Sequence, residues 1–488
     1  MDTHVAYHLA RVTGRPVRVT MSYAEELTAG NPRHPGRMTL RTGVRSDGTI
    51  VFRQALLRFD SGGYAAFKPG KGVSYGPRCR GAYRMDHAEV DSRMIYTNHI
   101  PCGSMRSPGD PQSVFAGESQ IDAIAHELGL TPTEFRRRNL LQEGDLSAIG
   151  HPWRDLTIGR ILEACVEATG LESPRLEEPG KLIGRGLAVC DRPTGEGASS
   201  AKLTVDASGT VHLATPLRDT GSGFYTMLRQ VVGRELGVAY DSIEMRAMTT
   251  DEVPFDGGVG GARITNAAGN AALGAAERVR EQLVEFAAQR QGWAIDSVEL
   301  REGALRANRE SVSLESLMDA HGGEISAEYA HEVPADPGMT VFSAQAAEVA
   351  VDTETGAIEV RRITSTHDVG TIINPISHQG QIDGRIMQGI GAALIEGLQY
   401  DGGQVINANL GDYKLPSMGD VPEIETVLVK DEKPGPTPYG GKAIGEQAIS
   451  GVAPAIHNAI LDATGHSMAR LPITAEAMWE KLREAAAQ

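Results

Sequence analysis

The chain has 488 residues, of which 41% are hydrophobic and 57 are glycine, and its formal net charge is -16. This length predicts several domains, while the acidic balance argues against a general nucleic-acid-binding protein, whose surface would be basic. No apolar run approaches the ~20 residues of a membrane helix and the first residues lack a secretory h-region, which together favour a soluble cytoplasmic protein.

The four cysteines are widely separated in the sequence, at Cys79, Cys102, Cys165 and Cys190. Their spacing matches neither an iron–sulfur cluster nor a zinc site. We therefore expect four small buried side chains and no iron–sulfur centre on this chain.

The chain starts with a helical pattern that has almost no residues before it. Val5, Leu9 and Val12 recur at helical spacing, and GRPVRVTMS, residues 14–22, has the composition of a strand. Such a start indicates either a frayed terminus or a segment that packs on another chain.

Three β-hairpins are predicted from one shared pattern, in which alternating apolar residues flank a polar turn that contains glycine. The turns are placed at Asp47-Gly48, Ser208-Gly209 and Thr355-Gly356.

Helices are predicted where apolar residues recur every three to four positions. A capping box, Thr131-Pro132-Thr133-Glu134, marks the start of one of them. The others cover residues 114–128, 158–166, 266–291, 452–464 and 474–487. The polar, proline-rich stretch LESPRLEEPGK, residues 171–181, is the best candidate for a linker between two α+β domains.

Two glycine-rich stretches precede predicted helices, where backbone N–H groups bind anions and glycine allows close approach. PFDGGVGGARITN contains Gly260, Gly261, Ala262 and Arg263, and RDTGSGFYTML contains the turn at residues 221–223. Neither matches a dinucleotide fingerprint or a P-loop, and an ordinary loop is an open alternative for each.

Two further stretches place polar side chains beside glycine or on a predicted helix. IPCGSMRSPGDPQS holds Arg106 in a loop before a helix, where it could clamp an anion or form a surface salt bridge. GQIDGRIMQGIG carries Gln381 and Gln388 seven residues apart, so that both amides share a helix face and either bind a polar ligand or are solvated.

The fifth stretch, GGKAIGEQAIS, places Glu446 between a glycine-rich loop and an apolar helix. A single carboxylate is usually solvated, but this context favours a partly buried acid that could act as a general base.

Taken in order, six stretches resemble the molybdenum-cofactor subunit of the xanthine dehydrogenase/aldehyde oxidase-type molybdenum hydroxylases. They are GRPVRVTMSYAEELT, PCGSMRSPGDPQ, VPFDGGVGGAR, GQIDGRIMQGIGAAL, GDYKLPSMGDVPEIE and GGKAIGEQ, and the resemblance covers nearly the whole chain. It implies an α+β fold of two elongated, mixed α/β molybdopterin-binding domains. Residues 1–170 would be the remainder of the first domain and residues 171–488 the second.

The resemblance also implies roles for individual residues. Glu446 matches the general base, which removes a proton from a hydroxyl group on molybdenum so that water-derived oxygen enters the substrate. The other matching residues would contact the cofactor: Arg106, Gly221, Ser222, Gly223, Gly260, Gly261, Ala262, Arg263, Gln381, Lys442 and Gly445. No protein side chain is expected to ligate the metal.

Departures from the family pattern concern one cofactor contact and the substrate. Ser222 stands where the cofactor-contacting turn of the family usually has glutamine, so the resemblance does not imply an amide contact there. Pro108 replaces an aromatic residue of the purine-oxidising members. GVSYGPR, residues 72–78, shows no obvious counterpart of their substrate-binding arginine, and the cysteine loop of carbon monoxide dehydrogenases is missing. The resemblance therefore points away from xanthine and toward another N-heteroaromatic compound or an aldehyde.

The chain begins after a segment in which family members carry a glycine–phenylalanine-rich loop and a further glutamine. This suggests a split enzyme of the nicotinate dehydrogenase type. A second, smaller molybdenum-cofactor polypeptide would supply the missing part, and two further subunits would carry [2Fe–2S] clusters and FAD. Prokaryotic members usually use the cytosine dinucleotide form of molybdopterin, which is the form expected here.

Two other functions are compatible with parts of the sequence. The missing segment and Ser222 would also suit a non-catalytic scaffold that assembles molybdenum, iron–sulfur and flavin partners. The glycines of GGVGGAR would suit a free-standing nucleotide-binding protein, although nothing beyond those glycines favours it.

Overall fold

The computed structural model describes residues 2–64, 76–146, 152–153, 155–175, 177–248, 252, 256–334, 340–430 and 433–486. Residues 72–75 of GVSYGPR and residues 253–255 of VPFDGGVGGAR lie outside this part of the chain.

Helices and strands are mixed along the described chain, in agreement with the predicted α+β class. The helices are α1 (Asp2–Thr13), α2 (Tyr23–Ala29), α3 (Asp110–Glu127), α4 (Pro132–Asn139), α5 (Ile158–Thr169), α6 (Phe224–Leu236), α7 (Ile264–Gln291), α8 (Leu314–His321), α9 (Pro375–Ile390), α10 (Gln447–Ser450), α11 (Val452–Thr464) and α12 (Ala475–Ala486).

The strands are β1 (Gly36–Val44), β2 (Ile50–Gly62), β3 (His87–Tyr96), β4 (Lys181–Pro193), β5 (Gly197–Val205), β6 (Val211–Thr215), β7 (Glu244–Ala247), β8 (Glu299–Arg301), β9 (Ala304–Ala307), β10 (Glu310–Ser313), β11 (Ile325–Val333), β12 (Thr340–Asp352), β13 (Ile358–Asp368), β14 (Tyr400–Asp401), β15 (Gln404–Val405) and β16 (Glu423–Val429).

The sheet that positions the site has the strand order β16-β13-β12-β4. Strand β12 pairs antiparallel with both β13 and β4, and β16 pairs parallel with β13. Side chains alternate between the two faces, so Leu187 and Val189 enter a core with α3 and α5, whereas Ala188 enters a core with α9 and α11. Both faces of this sheet are therefore buried.

A second four-stranded sheet, β11-β5-β6-β7, packs its apolar face on α6 and α7. Alanines line the inner face of α7, which lets the long helix lie close to β5 and β11. A separate sheet, β1-β2-β3, forms a smaller core with Leu57 and Phe59. The cavity described below is lined by segments that follow β3, β4, β6, β7, β13 and β16.

Most of the predicted elements are confirmed. All three hairpins form at the predicted turns, the Thr131–Glu134 capping box is present, and the predicted helices are found within a few residues of their expected ends. The strand predicted at residues 14–22 is wrong, because this segment pairs with no strand in the described chain and most of it has no regular structure. All four cysteines are buried and free, as expected.

The predicted division after residue 170 stays a prediction. One hydrophobic core contains side chains from both sides of it, including Ile161 and Cys165 from α5 together with Leu187 and Phe342. In the described part of the chain, no helix has the length and apolar character needed to cross a membrane.

Candidate active site

A large cavity of about 1120 Å³ opens where the loops of the two four-stranded sheets converge. Small-molecule sites usually enclose about 300–1,000 Å³, so this cavity has room for a large cofactor together with a substrate. Its lining residues fall within six stretches: 104–108, 192–198, 220–227, 257–265, 371–385 and 437–446.

The cavity brings together all twelve residues to which the family resemblance assigns a role. They are Arg106, Gly221, Ser222, Gly223, Gly260, Gly261, Ala262, Arg263, Gln381, Lys442, Gly445 and Glu446. Their individual roles toward a ligand stay predictions. Gln388, expected to share the face of Gln381, is not among the lining residues.

Glu446 is buried at the end of the glycine-rich loop, directly before α10, with 7% of its surface exposed. Its Oε1 accepts a hydrogen bond from the Ser107 backbone N–H at 3.1 Å, and its Oε2 accepts from Arg192 Nε at 3.1 Å and Nη2 at 2.5 Å. The Ser107 hydroxyl also donates to the Glu446 carbonyl at 2.7 Å. The carboxylate is thus held from two sides by groups more than 250 positions away.

The loop at residues 104–108 is held by Arg33, whose guanidinium donates to the carbonyl of Arg106 at 2.8 Å and of Met105 at 3.3 Å. Ser107 adopts a left-handed backbone with φ 56°, which is rare for a residue with a side chain and often marks a functional site. The Arg106 guanidinium lines the cavity and forms no hydrogen bond or ion pair within the described chain. It is therefore available to an anionic ligand.

The turn at residues 221–223 precedes α6, as expected. Its N–H groups are already partly used, because the Asp219 carboxylate accepts from Gly221 at 2.9 Å and from Gly223 at 3.3 Å. The Ser222 hydroxyl, by contrast, is buried with no hydrogen-bond partner in the described chain. A ligand contact in this turn is thus expected from the serine side chain rather than from the helix N-terminus.

The loop before α7 is stabilised by Arg263, which pairs with Asp256 at 2.5 Å and donates to the carbonyls of Gly258 and Ala198. Arg263 therefore shapes the loop with hydrogen bonds inside the protein. Ala262 has a left-handed backbone with φ 56°. A side chain at Gly260 would point into open space, because nothing lies within 4 Å of its Cβ position.

Replacing Gly260 with leucine is expected to block ligand loading without unfolding the protein. The leucine side chain would extend from the loop that lines the cavity, and Gly260 does not have the positive φ that would make this change strained. We expect the cofactor content of the purified protein to fall severalfold, while the melting temperature matches that of the parent protein without cofactor. Gly159→Leu, on the exposed face of α5 with no atom within 4 Å, is the matched control. Full cofactor content in the Gly260 variant would contradict this assignment of the loop.

Helix α9 contributes four polar side chains to the cavity, from Ser377, His378, Gln381 and Arg385. Arg385 donates from Nε to the Gly445 carbonyl at 2.5 Å and also binds the backbone and side-chain oxygens of Gln381. Burial, together with repulsion from Arg385, lowers the pKa of His378 to about 4, so this imidazole is neutral at physiological pH. His378 Nε2 is buried with no partner in the described chain.

The loop before Glu446 is attached to the end of β13. Lys442 Nζ pairs with Asp368 Oδ2 at 2.5 Å, and its backbone N–H donates to the Val369 carbonyl at 2.8 Å. A Cβ at Gly445 would lie 3.2 Å from Ala262 Cβ. Glycine there lets the loop that carries Glu446 pass close to the loop before α7.

Sequence reasoning missed Arg192, Arg385 and His378. Arg385 was detectable in principle, since it follows Gln381 by four residues on a helix and must share its face. Arg192 had only a weak signal, a charged residue before Pro193 at the end of a strand. In the described chain, no cluster of three or more His, Cys, Asp or Glu residues could hold a metal.

The chain is similar to family models and to known proteins over most of its length. Family models described as molybdopterin cofactor-binding domains match residues 1–140 and 166–422. A xanthine dehydrogenase molybdenum-binding subunit of Escherichia coli O157:H7 is 32% identical, over 98% of this chain and 66% of the relative. The gamma subunit of a 6-hydroxypseudooxynicotine dehydrogenase complex of Paenarthrobacter nicotinovorans is 30% identical, over 98% of this chain and 64% of the relative.

Among solved structures, the quinoline 2-oxidoreductase of Pseudomonas putida 86 superimposes with a TM-score of 0.89 at 26% identity. The match covers 98% of this chain and 66% of that one. The chain thus spans about two thirds of the length of the relatives it matches.

Proposed function

Because the chain belongs to the molybdenum-binding subunits of the xanthine dehydrogenase family, we propose that it forms the active site of a molybdenum hydroxylase. The enzyme would insert water-derived oxygen into a C–H bond of an N-heteroaromatic compound or an aldehyde. The observation that carries this proposal is the buried Glu446 carboxylate, held in the wall of a cavity large enough for cofactor and substrate.

The lining of the cavity fits a molybdopterin cofactor. The partly buried Arg106 and the cationic Arg385, which both line the cavity, suit an anionic, phosphate-bearing group. Ser222 Oγ and His378 Nε2 are buried polar atoms that lack partners in the described chain, and buried polar atoms normally have them. The residues that would hold the cofactor are Arg106, Gly221, Ser222, Gly223, Gly260, Gly261, Ala262, Arg263, Gln381, Lys442 and Gly445.

When bound, the cofactor would supply the metal centre that provides the oxygen and accepts two electrons. Glu446 would then act as the general base. Its Oε2 already accepts two N–H groups from Arg192, whereas Oε1 accepts one from Ser107. Oε1 therefore retains a free lone pair and is the atom that would take the proton.

We propose an N-heteroaromatic substrate or an aldehyde rather than xanthine. The proposal rests on Pro108, which lines the cavity where purine-oxidising members carry an aromatic residue. The names of the relatives do not decide between these substrates, because two are named for quinoline and 6-hydroxypseudooxynicotine and another for xanthine. We propose the cytosine dinucleotide form of the cofactor, which is usual among prokaryotic members.

We also propose that a second, smaller molybdenum-cofactor polypeptide contributes to the active site. Further subunits would carry [2Fe–2S] clusters and FAD, and the complex would be cytoplasmic. Helix α1 supports a partner at this end, because Val5, Leu9 and Val12 follow one another at helical spacing and are 47%, 44% and 85% exposed.

Measuring the metal and cofactor content tests the proposal directly. The native protein is purified with whatever accompanies it, and molybdenum, pterin, iron and flavin are measured together with the list of subunits. We expect stoichiometric molybdenum and pterin, with iron and flavin on separate chains. Oxidation of N-heteroaromatic compounds and aldehydes in isotopically labelled water should transfer the label to the product.

Two results would contradict parts of the proposal. Protein without molybdenum or pterin, even after its subunits are combined, would overturn the activity. Molybdenum in a single chain of full family length would support the activity and overturn the split arrangement.

A further inference from the structure

A row of four buried or nearly buried charges leads from the interior to the candidate base. Arg78 pairs with Asp110 at 3.1 Å, Asp110 with Arg192 at 2.7 Å, and Arg192 with Glu446 at 2.5 Å. The side chains of Asp110 and Arg192 are 0% and 2% exposed. The charges alternate in sign, so each inner group is neutralised on both sides.

Arg192 reaches Glu446 because of its position in the fold. It lies next to last in β4, and Asp110 is the first residue of α3, so the guanidinium spans the space between that helix and the loop before α10. Its Nη1 binds Asp110 while Nε and Nη2 bind Glu446 Oε2. The planar guanidinium therefore fixes where the carboxylate points.

Other charged groups around Glu446 come from several elements. Arg33 and Arg106 belong to the segments at residues 30–36 and 104–108, Arg385 comes from α9, and Asp110 from α3; each interacts electrostatically with Glu446. Burial raises the pKa of Asp110, and its two arginine partners oppose this shift. Of the cations in this set, Arg192 is the one with direct hydrogen bonds to the carboxylate in the described chain.

We propose that Arg192 is a positioning residue for the base: its positive charge lies against the Glu446 carboxylate and its N–H groups occupy Oε2, so that Oε1 alone faces the reaction, while Asp110 holds Arg192 in place. This inference rests on the proposed function for its catalytic meaning. The ion pair itself can be tested without turnover.

The first measurement is the infrared difference spectrum between the isolated protein complex and its Glu446→Gln variant, recorded over a pH series. With Arg192 present, the difference should contain a carboxylate band at neutral pH. In Arg192→Met, the buried acid loses its counter-ion and should show a protonated carboxyl band at the same pH. Arg192→Lys should restore the carboxylate band in part, because lysine keeps the charge but not the planar pairing.

The second measurement is the pH dependence of kcat. Without the positive charge of Arg192, the ionised form of Glu446 is less favoured. The variant therefore needs a higher pH before Glu446 can accept a proton from the reaction. We expect the acidic limb of the profile to move upward by about 1–3 pH units in Arg192→Met. KM should change little, because Arg192 is not expected to bind substrate. Asp110→Asn should move the limb downward by a smaller amount, because a nearby negative charge is removed while the amide oxygen can still accept a hydrogen bond from Arg192 and hold it in place.

Arg185→Met is the matched control, since Arg185 lies on the same strand and pairs with Glu348 at 2.7 Å away from the cavity. It should leave both the infrared difference and the pH profile unchanged. If Arg192→Met does not fold, Arg192→Lys provides the same comparison with a smaller shift.

The outcomes separate this inference from the proposed function. An unchanged carboxylate band and an unchanged acidic limb in folded Arg192 variants would overturn the positioning role. If the infrared band shifts as expected but the protein contains no molybdenum and shows no turnover, the ion pair between Arg192 and Glu446 is supported. The proposed function would then be overturned.

Discussion

Replacing Glu446 with glutamine is expected to lower kcat by about 10²–10⁴-fold, the usual contribution of a general base. The amide has nearly the same shape but cannot accept the proton at the atom corresponding to Oε1. Molybdenum and pterin content should stay at the parent level, because Glu446 contacts Ser107 and Arg192 and is not among the residues proposed to hold the cofactor. Thermal stability should fall, since Arg192 loses the ion pair with Glu446 that it makes in addition to its pair with Asp110.

The matched control is Glu348→Gln, which removes a half-buried glutamate paired with an arginine away from the cavity. It should lose a little stability and no activity. Undiminished turnover in Glu446→Gln with full molybdenum would contradict the role of the base and favour the non-catalytic scaffold.

Replacing Gly186 with valine is expected to disrupt the packing of α11 on the central sheet. A Cβ at this position would lie 2.1 Å from Ala459 N and 2.3 Å from Ala455 O, both on the α11 backbone. Backbone atoms cannot move aside as a flexible side chain can, so the helix would have to shift as a unit. We expect a loss of about 3 kcal/mol or more in the free energy of unfolding.

The consequence should reach the active site, because α11 follows Glu446 by only six residues. Denaturant unfolding monitored by circular dichroism measures the stability, and soluble yield and molybdenum content measure the local effect. Gly159→Val, on the exposed face of α5, should cost no more than about 1 kcal/mol. Comparable stability of the two variants would show that the sheet and helix can separate at little cost.

The elements predicted from the sequence succeeded where the signal was local. The turns at Asp47-Gly48 and Ser208-Gly209 combine a glycine with alternating apolar residues, and both hairpins form there. The Thr131 capping box likewise involves groups three residues apart. The strand predicted at residues 14–22 does not form. The composition of a segment does not determine whether a neighbouring strand can pair with it, because pairing depends on which sheet edges are available in the fold.

Part of the candidate site could also be predicted from local sequence signals. Glycine-rich loops before helices and an acid between a loop and an apolar helix identified the segments that line the cavity. The sequence did not indicate how the side chains and backbone groups of those segments contact one another. Asp219, for example, occupies the N–H groups of Gly221 and Gly223, and that contact depends on how the turn closes.

The sequence by itself determined the family, the order of the secondary-structure elements and the stretches that form the site, because each of these depends on residue type and local spacing. Tertiary structure alone decided that Arg192 pairs with Glu446 across 254 positions and that Gly186 must accept the α11 backbone. Such contacts depend on how a strand, a helix and two loops meet in space. The distance between two residues along the sequence does not predict that geometry. Arg185, for example, lies on the same strand as Arg192 but pairs with Glu348.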